Sequence, residues 1–113
     1  MKKNPQVFLQ HILESIEWIE KDTADLSKEQ FLEDVPIQDA VIRRLEIIGE
    51  AINNLPADLK KASPDTPWRD ISDTRNKLIH GYFGIDLGLV WSIVQNDIPP
   101  FKKQIKAMLA ASS

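Results

Sequence analysis

The chain has no cysteine among its 113 residues, so neither a disulfide framework nor a thiolate metal site is possible. It has no apolar run near the roughly 20 residues that a bilayer-spanning helix needs, because Glu, Lys, Asp or Arg interrupts every hydrophobic segment. Met1-Lys2-Lys3-Asn4-Pro5 leads into an amphipathic segment instead of a signal peptide, so a cytoplasmic protein is expected, without a membrane partner. An excess of positive charge is missing too. The formal net charge is -3 and the sequence pI about 5.3, so the surface as a whole cannot be the basic footprint of a general nucleic-acid binder. Any such contact must be local. The cations do cluster, at Arg43-Arg44, at Lys60-Lys61, at Arg69 with Arg75 and Lys77, and at Lys102-Lys103 with Lys106; most clusters of this kind are solvated helix faces.

Strand-period alternation, internal repeats and dividing linkers are also absent, and the length suits one domain over residues 1–113. What is present is helical periodicity. From Pro5 to about Asp22, Phe8, Leu9, Ile12, Leu13, Ile16 and Ile19 recur at helical spacing, with Asn4 available as N-cap and Pro5 at the first helical position. Ser27-Lys28-Glu29-Gln30 has the form of a capping box and opens a short helix that should end before Pro36. Between Ile37 and Leu55, Ala40, Val41, Leu45, Ile48, Ala51, Ile52 and Leu55 form an apolar stripe that Pro56 ends. Pro56 to about Ala62 adds one helical turn, and Ser63-Pro64-Asp65-Thr66-Pro67 reads as a loop or as the N-cap region of the next helix. A further helix is predicted from Trp68 to Ile79 or His80, ended by Gly81. Asp86 caps a last helix through Leu87, Val90, Trp91, Ile93 and Val94 to Ile105, Met108 and Leu109, which Pro99-Pro100 must kink or break. The expected fold is all-α, an antiparallel bundle of four or five helices.

One stretch carries chemistry: Arg75-Asn76-Lys77-Leu78-Ile79-His80-Gly81-Tyr82. An Arg holds a phosphate through two parallel charge-assisted hydrogen bonds, and His is the side chain whose unperturbed pKa lies closest to neutrality. Together they suggest cleavage of a phosphodiester. On a regular helix Asn76 and His80 lie about 40° apart around the axis and Arg75 and His80 about 140° apart, so Asn76 is placed to orient His80 while Arg75 must reach around. Spacing alone does not make a site, since an exposed Arg and a His near a helix C-terminus are common. Leu78 and Ile79 read as core, and Phe83 as a core anchor.

The pattern of Arg75, the polar Asn76, three further positions, His80, one further position and Tyr82 resembles the signature of the HEPN superfamily, in particular its HepT-like branch. The likeness extends to Arg44-Leu45-Glu46-Ile47-Ile48-Gly49-Glu50-Ala51, to Trp68 before the motif, to Gly81-Tyr82-Phe83 after it, and to Asp86 through Trp91, so it covers nearly the whole chain. The resemblance implies a HEPN-like bundle acting as a metal-independent endoribonuclease, the toxin of a toxin–antitoxin pair. It further implies a homodimer whose two motifs meet in a composite site, and an antitoxin partner, a minimal nucleotidyltransferase, that silences the toxin by moving AMP onto Tyr82. Arg75 and His80 are then the catalytic residues, Asn76 and Tyr82 support them, and Lys77, Arg69, Arg43 and Arg44 are the candidates for holding RNA. No cofactor and no metal are expected; Glu46 and Glu50, one turn apart, read better as partners of Arg43 or of an Arg on another helix than as metal ligands.

Two other functions compete. The chain could be a non-catalytic helical interaction module, which its acidic character allows, or an accessory subunit that helps a nucleotidyltransferase bind substrate, which would leave His80 dispensable. Arg75, His80 and Tyr82 together favour the enzyme, because a binding module has no physical need for all three. His11 has no metal-ligating companions, and Trp18, Trp68 and Trp91 suit core or interface packing better than base stacking.

Overall fold

The computed structural model describes residues 4–74 and 84–112, and within them every regular element is a helix, giving the all-α fold that the periodicity predicts. In chain order these are α1 (Pro5–Thr23), α2 (Lys28–Glu33), α3 (Val35–Asn53), α4 (Ala57–Ala62), α5 (Trp68–Ser72) and α6 (Leu87–Ser92), followed by a wide π-helical turn (Ile93–Asp97) and α7 (Ile98–Ser112). The long helices α1 and α3 pack on each other, α7 lies against α1, α5 rests on α3, and α2 bridges α3 and α6.

The starts of these helices follow from side-chain caps. Asn4 Oδ1 accepts the Gln6 N–H at 2.9 Å, with Pro5 in the first turn, where its missing donor would have no partner. Ser27 Oγ accepts from Gln30 N at 3.1 Å while Gln30 Oε1 accepts from Ser27 N at 2.9 Å, so the predicted capping box is complete. Asp34 serves two helices. Its N–H donates to the Phe31 carbonyl at 3.2 Å to close α2, and its Oδ1 accepts from Ile37 N at 3.1 Å to open α3. The long helix therefore starts at Val35, ahead of the predicted Ile37, with Pro36 harmless in its first turn, and it ends at Asn53, before the predicted Leu55.

Leu9, Ile12, Ile16 and Ile19 of α1 face Val41, Leu45, Ile48, Ala51 and Ile52 of α3, and Ile98, Phe101 and Ile105 of α7 close the core; all are buried. Phe31 anchors α2 beneath Trp91, with ring centres 5.3 Å apart. Its carbonyl also accepts from the buried Gln38 Nε2 at 2.8 Å, which ties α2 to α3. The last helix runs through Pro99-Pro100 without breaking there. In α geometry the two rings would collide with the carbonyls of Gln95 and Asn96; the wide turn just before them, in which Ile98 N–H bonds the Ile93 carbonyl five residues back, removes the collision. Its buried side chains are Ile93 and Val94, and Gln95, Asn96 and Asp97 face water.

Candidate functional site

Arg75, Asn76, Lys77, His80 and Tyr82 lie outside the described residues, as do Leu78, Ile79, Gly81 and Phe83. The structure defines the two ends between which this stretch is held. On the N-terminal side Trp68 fixes the approach: it is buried, sits edge-on to Phe101 with ring centres 6.0 Å apart, and its Nε1–H donates to the carbonyls of Lys60 and Ser63, both at 3.2 Å. One indole N–H thus collects the end of α4, the following loop and the start of α5.

The helix that starts at Trp68 does not continue unbroken to His80 as the sequence predicts; it ends at Ser72, and Asp73 forms a turn. At this end Asp73 N–H still bonds the Arg69 carbonyl at 2.9 Å, and hydroxyls add to the same carbonyls: Ser72 Oγ donates to that of Arg69 at 3.2 Å, and Thr74 Oγ1 donates to those of Ile71 at 2.6 Å and Asp70 at 3.3 Å. Thr74 is itself buried, which pins the last residue before Arg75. On the far side Gly84 adopts φ 84°, a left-handed conformation that favours glycine, and Asp86 Oδ1 caps α6 by accepting from Leu89 N at 3.0 Å.

Two adjoining clefts, each about 350 Å³, border the N-terminal end. Arg43, Glu46, Gly49, Glu50, Asn53 and Ser72 line the first, and Asn53, Lys60, Trp68, Arg69, Ser72 and Asp73 line the second; Asn53 and Ser72 belong to both. Gly49 lets α3 come this close to α5: a Cβ there would stand 3.1 Å from the Ser72 carbonyl oxygen. The clefts mix charges, with Arg43 beside Glu46 and Glu50, and Lys60 and Arg69 beside Asp73. Among the described residues neither Glu46 nor Glu50 is in a salt bridge, so the expected pairing with Arg43 is not made; the alternative, an Arg on another helix such as Arg75, falls outside the described residues. Among the described residues no group of three His, Cys, Asp or Glu side chains could hold a metal ion.

Of the cations proposed to contact RNA, Arg43 and Arg69 are exposed on the two clefts, whereas the half-buried Arg44 turns away and lays its guanidinium 5.6 Å from the centre of the Trp18 ring. Lys77 lies outside the described residues. The tryptophans divide: Trp68 is buried, Trp91 is half-buried against Phe31, and Trp18 is 46% exposed. Sequence reasoning missed the exposure of Trp18 although a signal was present, because position 18 lies about 200° around the helix from Ile16. It also missed the close approach at Gly49, for which one sequence holds no cue. His11 is exposed and meets Phe8 edge-on at 6.5 Å.

Comparison with known proteins places this arrangement. The chain matches the family "Ribonuclease HepT-like" over residues 12–108, a span that includes the whole Arg75–Tyr82 stretch, and it belongs to that family. It is 45% identical over 108 residues to the "Probable ribonuclease HepT" of Thermococcus cleftensis, covering 96% of this chain and 98% of that protein. It is 49% identical over 105 residues to a protein of Methanocaldococcus jannaschii named "Gamma-glutamylcyclotransferase and putative RNase". That match covers 93% of this chain but only 47% of the relative, so the chain spans about half of it. A relative from Caldanaerobacter subterraneus subsp. tengcongensis, named "Putative RNase", is 38% identical over 107 residues, covering 95% of this chain and 96% of its own. No solved structure matches the chain. No described helix is long and apolar enough to cross a membrane.

Proposed function

We propose that the chain is an endoribonuclease that cuts RNA by attack of the 2′-hydroxyl on the adjacent phosphorus. The observation that supports this best is the family match across residues 12–108, with Arg75, His80 and Tyr82 all present inside it. In this reaction the 2′-oxygen forms a bond to phosphorus and the 5′-oxygen leaves. The products are a 2′,3′-cyclic phosphate and a free 5′-hydroxyl. The substrate supplies its own nucleophile, so the scheme calls for no metal, and DNA, lacking the 2′-hydroxyl, is refused.

His80 takes the 2′-hydroxyl proton or returns one to the leaving oxygen, and Arg75 stabilises charge on the phosphoryl oxygens. One imidazole cannot serve both sides of a phosphate at once. Two copies of His80 related by a two-fold axis divide the roles, which is the chemical argument for a homodimer with a composite site. Asn76 orients His80, and Arg43, Arg69 and Lys77 hold the RNA backbone. As the toxin of a pair, the enzyme is silenced by a minimal nucleotidyltransferase: the Tyr82 hydroxyl attacks the α-phosphorus of a nucleoside triphosphate, pyrophosphate leaves, and the AMP left behind fills the site with a bulky anion.

The test is expression of the chain alone and with Arg75→Ala or His80→Ala, followed by growth and by analysis of RNA ends. Each substitution should reduce cleavage on the order of 10²-fold or more, and cut RNA should carry cyclic phosphate. A chain that leaves RNA intact, or cuts equally well without His80, refutes the reading and returns the accessory-subunit alternative. For the modification, coexpression with the nucleotidyltransferase should raise the intact mass by whole AMP units, and Tyr82→Phe should abolish the rise; a rise that survives Tyr82→Phe sinks it.

A further inference from the structure

We propose that Trp18, with Arg44 and Lys21 beside it, is a stacking site for one base of single-stranded RNA, reached from the α3–α5 cleft by way of Arg43; the proposal rests on the ribonuclease reading. The helix α1 buries Leu9, Ile12, Ile16 and Ile19, and Trp18 stands off that face, 46% exposed. Two cations from different elements converge on it: Lys21 Nζ, one turn along α1, lies 5.0 Å from the ring centre, and the Arg44 guanidinium, from α3, lies 5.6 Å away. A flat apolar ring joined to two cations matches the two parts of a nucleotide, a base to stack and a phosphate to neutralise. An apolar protein surface would match only the ring and would have to desolvate both charges.

The layout also gives a direction. Arg43 and Arg44 are neighbours on α3, one on the cleft beside Ser72 and the other on Trp18, so a strand lying along that cleft crosses consecutive cations before it meets the indole. Glu14 and Glu17 line the shallow depression together with Trp18 and Lys21. These carboxylates repel phosphate there and end the path at this base. An acidic protein thereby keeps a local RNA track without a basic surface overall. A base entering the site stacks on the indole in place of one cation, which is released to the neighbouring phosphate.

The test is binding of a fluorescein-labelled single-stranded 12-nucleotide RNA of mixed sequence, followed by anisotropy in the His80→Ala background so that cleavage does not interfere. Trp18→Ala should weaken binding about 5- to 150-fold, the range expected for one stacked base, and Trp18→Phe should recover most of it. Arg44→Ala should lower the slope of log affinity against log salt by about 0.7. Circular dichroism should show the two Trp18 variants folded, because that side chain is 46% exposed. Binding unchanged by Trp18→Ala overturns the proposal, and so does a change in oligomeric state with binding unaltered, which would make the patch a protein interface. The two readings separate cleanly: His80-dependent cleavage with neutral Trp18 leaves the ribonuclease and removes the patch, while Trp18-dependent binding without any cleavage does the reverse.

Discussion

Replacing Trp68 with Phe isolates one indole N–H from the packing around it. Two contributions are removed. The N–H is shared between the carbonyls of Lys60 and Ser63 at 3.2 Å each, in a partly buried setting, and its loss costs about 1–1.5 kcal/mol. The smaller ring leaves a gap beside Phe101, worth roughly another 1 kcal/mol of lost burial. The sum of about 2–2.5 kcal/mol should lower the melting temperature by roughly 8–10 °C for a domain of this size. Trp68→Ala, which also removes the edge-on contact with Phe101, should cost about 3–5 kcal/mol. Urea titration followed by circular dichroism measures both, and the midpoint should shift with little change in slope. Two results refute the reasoning: Trp68→Phe within about 0.5 kcal/mol of the parent, the usual effect of an uninvolved position, or Trp68→Phe as damaging as Trp68→Ala. The second would put the whole effect in the N–H and none in the ring packing that Phe keeps.

Asp34→Ala removes the cap of α3 and should cost about 0.5–2 kcal/mol, while Asp34→Asn, which keeps the acceptor, should cost less; equal losses in urea titrations would show that the charge matters and the hydrogen bond does not. Gly84→Ala meets no neighbour within 4 Å, so its cost should come from backbone conformation alone, about 1–2 kcal/mol at φ 84°, and a melting temperature equal to the parent's would contradict that.

The parts of the fold written in the sequence are those set by local chemistry. Asn4, Ser27 with Gln30, and Asp86 announce helix starts because a cap needs only its own few residues, and the 3.6-residue spacing of Ile12, Ile16 and Ile19 announces a buried face. Features that depend on two residues acting together are harder to read. The turn at Asp73 lies inside a run of residues that all read as helical, and Pro36 looks like a terminator until Asp34 makes it a first-turn residue. Ile98 and Phe101 flank Pro99-Pro100 and escape the predicted stripe, since a proline pair marks a break and nothing local signals the wide turn that avoids one. For the site, the residue types at Arg75, His80 and Tyr82 were legible as chemistry. The setting beside the α3–α5 cleft was not, because Gly49 and Ser72 are brought together by packing between segments more than twenty positions apart.

The wide turn between α6 and α7 has a consequence for how this chain can change in length. A π turn holds one residue more than an α turn, so deleting a single residue within Ile93–Asp97 would let the helix heal while the core faces on either side keep their phase. The healed helix would then meet the rings of Pro99 and Pro100. Replacing only the prolines leaves a wide turn with nothing to accommodate, and deleting only the residue restores the collision. The two changes are tolerated together and disfavoured apart, so in this stretch a deletion and a substitution are expected to occur as a linked pair.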